Sequence, residues 1–128
     1  MAEIQSVSQH IPTQSANATD EWYVAWPFQG KWLVKAVRFA PATAVAIDGT
    51  DYLTSTISAN DGAAGTFTTI CSHTTNTGGT ALAVDTSIAP TVTRYTLVVG
   101  SMIKIAKTLA GAGKILDGTY TIVAEKIN

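Results

Sequence analysis

A chain of 128 residues is one domain's worth of sequence, with no room for a second compact unit and a linker. Only 13% of the residues are charged and the net charge is −1; six Lys and two Arg are spread from Lys31 to Lys126 with acids between them, which argues against direct nucleic-acid binding. Val, Ile and Thr together supply 41 residues, and this β-branched excess favours strands.

In chain order, the first twenty residues are rich in Gln, Ser, Thr, Asn and Ala, and their only sizeable apolar residues are Ile4, Val7 and Ile11. Such a segment buries too little surface to fold alone. It is expected to form an extended arm, with one or two helical turns permitted by the spacing of those three residues and limited by Pro12. The N-terminus has neither a basic start nor an apolar stretch, so synthesis in the cytoplasm without export is expected, and the Asn17-Ala18-Thr19 acceptor pattern is taken as accidental. No apolar run approaches the roughly 18 residues of a membrane span.

Aromatic residues begin abruptly at Trp22, Tyr23, Trp26, Phe28 and Trp32, a stretch that contains all three tryptophans. Two readings stay open. The rings can cover one end of a core, or they can anchor a protein interface, where Trp and Tyr are typical hot-spot residues. The chain is thereby divided into an N-terminal arm and aromatic junction, residues 1–28, and a β-sandwich domain, residues 29–128.

After Gly30 the pattern is one of short strands separated by turns, predicted over residues 31–39, 51–59, 66–73, 80–84, 91–99, 101–108 and 119–127. The first shows apolar residues on both faces and ends at Pro41. Seven or eight short strands without a long helical period indicate an all-β sandwich or barrel. The expected core is Val37, Phe39, Leu53, Ile57, Leu97, Val99, Ile103, Ile105 and Ile122.

Candidate chemistry is sparse. Gly111-Ala112-Gly113-Lys114 resembles a phosphate loop only superficially, because Ile115 stands where Ser or Thr must reach magnesium. Cys71 and His73 share one side of a predicted strand, but two ligands are too few for zinc. Asp48 and Asp51 flank a turn and read as solvated turn residues, since calcium needs six or more oxygens. Cys71 alone cannot form an internal disulfide and reads as a small core residue. No catalytic, cofactor or metal residues are assigned, and no enzyme activity is expected.

The segments Ala36-Val37-Arg38-Phe39-Ala40-Pro41, Asp51-Tyr52-Leu53, Val99-Gly100-Ser101-Met102-Ile103-Lys104-Ile105, Ala110-Gly111-Ala112-Gly113 and Gly118-Thr119-Tyr120-Thr121-Ile122 resemble small virion proteins of tailed bacteriophages, specifically head decoration (cement) proteins. The resemblance covers residues 31–127. It implies a jelly-roll-like sandwich of about eight antiparallel strands on the capsid exterior, a homotrimer, and the major capsid protein as partner. A virion fibre or carbohydrate-binding β-sandwich module is the alternative. The aromatic residues Trp22, Tyr23, Trp26, Phe28 and Trp32 are the candidate interface.

Overall fold

The computed structural model describes residues 3–127. It contains β1 (Ile4–Ile11), β2 (Asp20–Ala25), β3 (Trp32–Pro41), β4 (Tyr52–Ala59), β5 (Thr68–Thr74), β6 (Thr96–Leu97), β7 (Met102–Ala110) and β8 (Gly118–Lys126). These form two four-stranded antiparallel sheets, ordered β1-β8-β3-β6 and β2-β7-β4-β5. The β4–β5 hairpin is the innermost of four nested pairs, followed outward by β3 with β6, β2 with β7, and β1 with β8. That wrapping is a jelly roll, the double-sheet solution built from two Greek keys.

The outermost pairs correct the expected division at residue 28. Residues 4–11 are no free arm: they run antiparallel to β8 without a break, from Ile4 opposite Glu125 to Ile11 opposite Gly118. Residues 20–25 pair with β7. The N-terminal segment thus gives each sheet one edge strand. Its period-two pattern is masked because Gln5 and Gln9 share the half-buried face of β1 with Val7 and Ile11, leaving only the apolar residues to suggest helical spacing. The Gln side chains sit at the rim of the sandwich, where their amides still reach solvent.

The connection between β1 and β2 is sewn down as well. The Lys107 side chain is buried, and its Nζ donates to Gln14 Oε1 at 3.3 Å, Ser15 O at 3.3 Å and Ala16 O at 3.2 Å. Burial draws this ammonium below its ordinary pKa, opposed by the charge of Asp20. Gln14 also clasps the segment before β8, accepting from Leu116 N at 2.7 Å and donating to Leu116 O at 2.6 Å. Gly113, at φ +70°, packs so tightly under this loop that a Cβ there would lie 2.3 Å from Ala16 O.

Two bulges decide which residues face the core. In β3 the register against β8 shifts between Val34 and Ala36, so Trp32 and Val34 point inward before it and Val37 and Phe39 after it. This accounts for the two-faced apolar pattern of that strand. In β5 the register against β4 shifts beside Ile57, and Ile70 is the extra residue. Cys71 and His73 therefore face inward, whereas Phe67, which simple alternation places on their face, lies on the outside.

Eight of the nine expected core residues are fully buried, among them Phe39, Ile57, Ile105 and Ile122. Val99 is the exception at 45% exposed, because β6 ends at Leu97 and the chain turns through Gly100, with Ser101 N donating to Val98 O. The strand expected over residues 91–99 shrinks accordingly to Thr96–Leu97. The one expected over residues 80–84 is reduced to two isolated bridges, Leu82 with Val45 and Ala83 with Thr86.

Deleting residues 1–19 should abolish the cooperative unfolding transition. The deletion removes the whole β1 ladder, the fully buried Ile11 and every acceptor of Lys107 Nζ. Burying one Ile is worth about 1.5–3 kcal/mol and net domain stability is only about 5–15 kcal/mol. A truncated chain that melts cooperatively near the full-length temperature would contradict the integral role of β1.

Candidate functional site

The aromatic segment divides according to strand alternation. Trp22 and Val24 of β2 point toward the core, Tyr23 points outward, and Trp26 follows the inward positions just past the strand. Trp26 and Trp32 are buried and pack edge to face at 5.8 Å between ring centroids, with Phe28 5.0 Å from Trp26 and 5.7 Å from Trp32. Trp32 Nε1 donates to Gln29 O at 2.9 Å, closing the turn into β3. These three rings cap one end of the sandwich, and Trp22 packs half-buried against the same core. As interface anchors, Trp26 and Trp32 are corrected: their surface is already spent inside the chain.

Tyr23 alone of the five is exposed, at 48%. It stands on the outer face of the second sheet, opposite Lys104 of β7. Its ring lies 6.2 Å from that of Phe67, and Lys104 Nζ sits 4.4 Å from the Phe67 ring centroid, a cation–π arrangement. Glu21 ties the group together. Its carboxylate accepts from Tyr23 Oη at 2.9 Å and lies 3.7 Å from Lys104 Nζ. The hydrogen bond from Tyr23 to Glu21, with smaller help from desolvation and the carboxylate charge, holds the phenol pKa above its ordinary value. The result is a small amphipathic patch of two rings and one ion pair on a sheet face otherwise lined by Thr54, Thr56, Ala106 and Thr108. Such a patch suits contact with another macromolecule through ring area and a few polar bonds. Phe67 and Lys104 were missed at the level of sequence because a bulge and a cross-strand pairing bring them to Tyr23; neither is visible in local alternation.

The residues considered for metal or catalytic chemistry have structural partners. His73 Nε2 is hydrogen-bonded to Tyr120 Oη, and Tyr120 Oη donates to Ser55 Oγ at 2.7 Å. With Tyr120 donating to Ser55, His73 must donate through Nε2, which leaves Nδ1 as a buried acceptor without a partner among the described residues. Phe39 stacks on both rings, 4.3 Å from Tyr120 and 5.5 Å from His73. This polar chain bridges β5, β8 and β4 across the interior. Burial pushes the Cys71 thiol up to about 12 and the His73 imidazole down to about 4, and it raises the Tyr120 phenol against the opposing pull of Ser55. At neutral pH all three are uncharged. Among the described residues no three His, Cys, Asp or Glu side chains converge as a metal site, and no helix is long and apolar enough to cross a membrane.

Asp48 and Asp51 serve turns. Asp48 Oδ1 accepts from Thr50 N at 2.8 Å and Asp51 N at 3.1 Å, and these bonds hold its pKa low. Asp51 Oδ1 accepts from Ala112 N at 2.8 Å, in the turn where Gly111 adopts φ +61°. The Gly111-Ala112-Gly113 stretch is thereby a connection between β7 and β8 gripped by the residue that precedes β4. No known family model and no curated protein matches the chain.

The His73 shift makes a stability prediction with a defined sign. A histidine whose folded pKa is depressed from 6.5 to about 4 contributes fully above 6.5, and its contribution is lost as pH falls through that window, because the unfolded chain binds the proton first. The difference corresponds to about 3 kcal/mol at 1.36 kcal/mol per pKa unit. Urea unfolding of the wild type between pH 7 and 4 should show this loss, and His73→Gln should lack the one-proton slope. Parallel pH profiles for the two proteins would contradict it.

Proposed function

We propose that the chain is a bacteriophage head decoration protein, which binds the outside of the assembled capsid and ties neighbouring major capsid proteins together. The observation that carries this reading is the exposed Tyr23, Phe67, Lys104 and Glu21 patch on a broad sheet face of a jelly roll, a fold that recurs in viral capsid proteins. A cement protein works by contact area, and a sheet face that carries an aromatic pair can supply it.

The segments that resemble cement proteins also meet in space, which supports taking the resemblance as one structural unit. Asp51 grips the turn at Ala112, and Tyr52 pairs with Ala110. Pro41 at the end of β3 faces Gly118 at the start of β8, so closely that a Cβ on Gly118 would lie 2.2 Å from Ala40 O. These contacts fix the end of the sandwich at which β3, β4, β7 and β8 exchange direction. The alternative, a carbohydrate-binding or fibre module, loses its tryptophan platform, since Trp26 and Trp32 are buried within the chain.

Decoration acts by mass action, so binding only the assembled shell raises its disruption temperature. Purified protein added to undecorated heads of the phage that encodes it should produce that rise. Tyr23→Ala should weaken shell binding by about 30-fold or more, the effect of losing an aromatic hot spot of about 2 kcal/mol, while the melting curve of the free protein stays in place. Shells that break at the same temperature with and without the protein would refute the cement reading. Full binding by Tyr23→Ala would move the contact away from this patch.

A further inference from the structure

Among the described residues four sheet edges are free, and three of them are blunted. β6 is only two residues long, β2 carries Asp20 and Glu21, and β5 is bulged. β1 has none of these protections: it is eight residues long, unbroken in register, and free of Pro, Lys, Arg, Asp and Glu. An edge of that kind is a template for another strand.

Its free backbone groups can be assigned. Lys126 N donates to Glu3 O at 2.9 Å, so Glu3 and Lys126 form a hydrogen-bonded pair, and by antiparallel alternation Gln5, Val7, Gln9 and Ile11 also bond to β8. Ile4, Ser6, Ser8 and His10 then direct their N–H and C=O groups away from the sheet. The His10 carbonyl carries only the neighbouring Gln9 side-chain amide at 2.9 Å, an exposed bond that an incoming strand can replace.

The sequence across this edge reads the same in both directions about Val7: Gln5-Ser6-Val7-Ser8-Gln9. Two copies of β1 laid antiparallel with Val7 opposite Val7 place Ser6 against Ser8 on the outer face and Gln5 against Gln9 on the inner face. The same register pairs Ile4 with His10. Every outward-directed residue thereby meets an outward-directed residue, and each such pair exchanges two hydrogen bonds. A register centred on Ser6 or Ser8 leaves some of these groups unpaired. No formally charged residue of β1 faces another, so nothing in the strand opposes the pairing.

We infer that β1 is a self-complementary edge through which two copies of this chain pair about a two-fold axis at Val7, joining their β1-β8-β3-β6 sheets into one continuous eight-stranded sheet. The interface is isologous and closed, so it yields a dimer in place of the homotrimer that the resemblance implies. It lies on a different sheet from the Tyr23 patch, so dimerisation of the isolated protein is measured without any capsid, and its outcome is separate from that of the decoration reading.

The test is sedimentation equilibrium of the full chain and of two double variants. Ser6 and Ser8 are exposed on the outer face, so neither substitution enters the core. S6K/S8K sets Lys against Lys at both symmetry-related positions and should weaken the dimer by about tenfold or more. S6K/S8E sets Lys against Glu at the same positions and should restore it. Independently, Val7→Cys brings two thiols to the axis, where Cα atoms of a non-hydrogen-bonded pair lie about 4.5 Å apart, and should yield a covalent dimer on oxidation. A monomeric wild type, a trimer indifferent to both double variants, equal loss of association in S6K/S8K and S6K/S8E, or a Val7→Cys chain that stays monomeric on oxidation would each overturn the inference.

Discussion

The rest of the structure depends on the pairing of the first strand with the last. β8 lies between β1 and β3, and its inward residues Tyr120, Ile122 and Ala124 are fully buried. Without β1, β8 becomes an edge, and Val7 and Ile11 no longer close that side of the core. In a nested fold the outermost pair joins residues more than a hundred positions apart, so its loop-closure cost is the largest and is met only when the inner pairs already stand. Lys107, Gln14 and Gly113 then hold the intervening loop at a site where three partly buried hydrogen bonds from one ammonium replace hydration.

Fold class was legible in the sequence because β-branched content and turn spacing are local signals. The inner strands β3, β4, β7 and β8 fall within a few residues of where alternation places them. What alternation misses has three physical origins. Glutamines at the rim of β1 take inward positions without being apolar, so the strand reads as an unstructured arm. Bulges at β3 and β5 reverse the parity of facing, which hides Phe67 from the surface reading and puts both Trp32 and Phe39 in the core. Val99 follows a strand that ends two residues early, at a glycine turn.

The candidate surface was half legible. The aromatic segment was conspicuous, and its members divide: Trp26, Phe28 and Trp32 cap the core, while Tyr23 faces outward. Their separation follows from strand parity within β2, since neighbouring residues in a strand occupy opposite faces. The resemblance drawn from the sequence rests on turn and strand residues, and the contacts of Asp51 and Gly118 give those residues structural work in this fold without assigning a binding role to any of them.

The claim that the N-terminal strand belongs to the folding unit is tested most directly by native-state hydrogen exchange along β8. The amides of Tyr120, Ile122 and Ala124 bond toward β1, in the same alternation as Lys126 N to Glu3 O, whereas those of Thr121 and Val123 bond toward β3. Both sets should exchange only through global opening, with equal protection. Exchange of the β1-facing set at much lower free energy, with the β3-facing set still protected, would show β1 to be a detachable arm and would contradict the account.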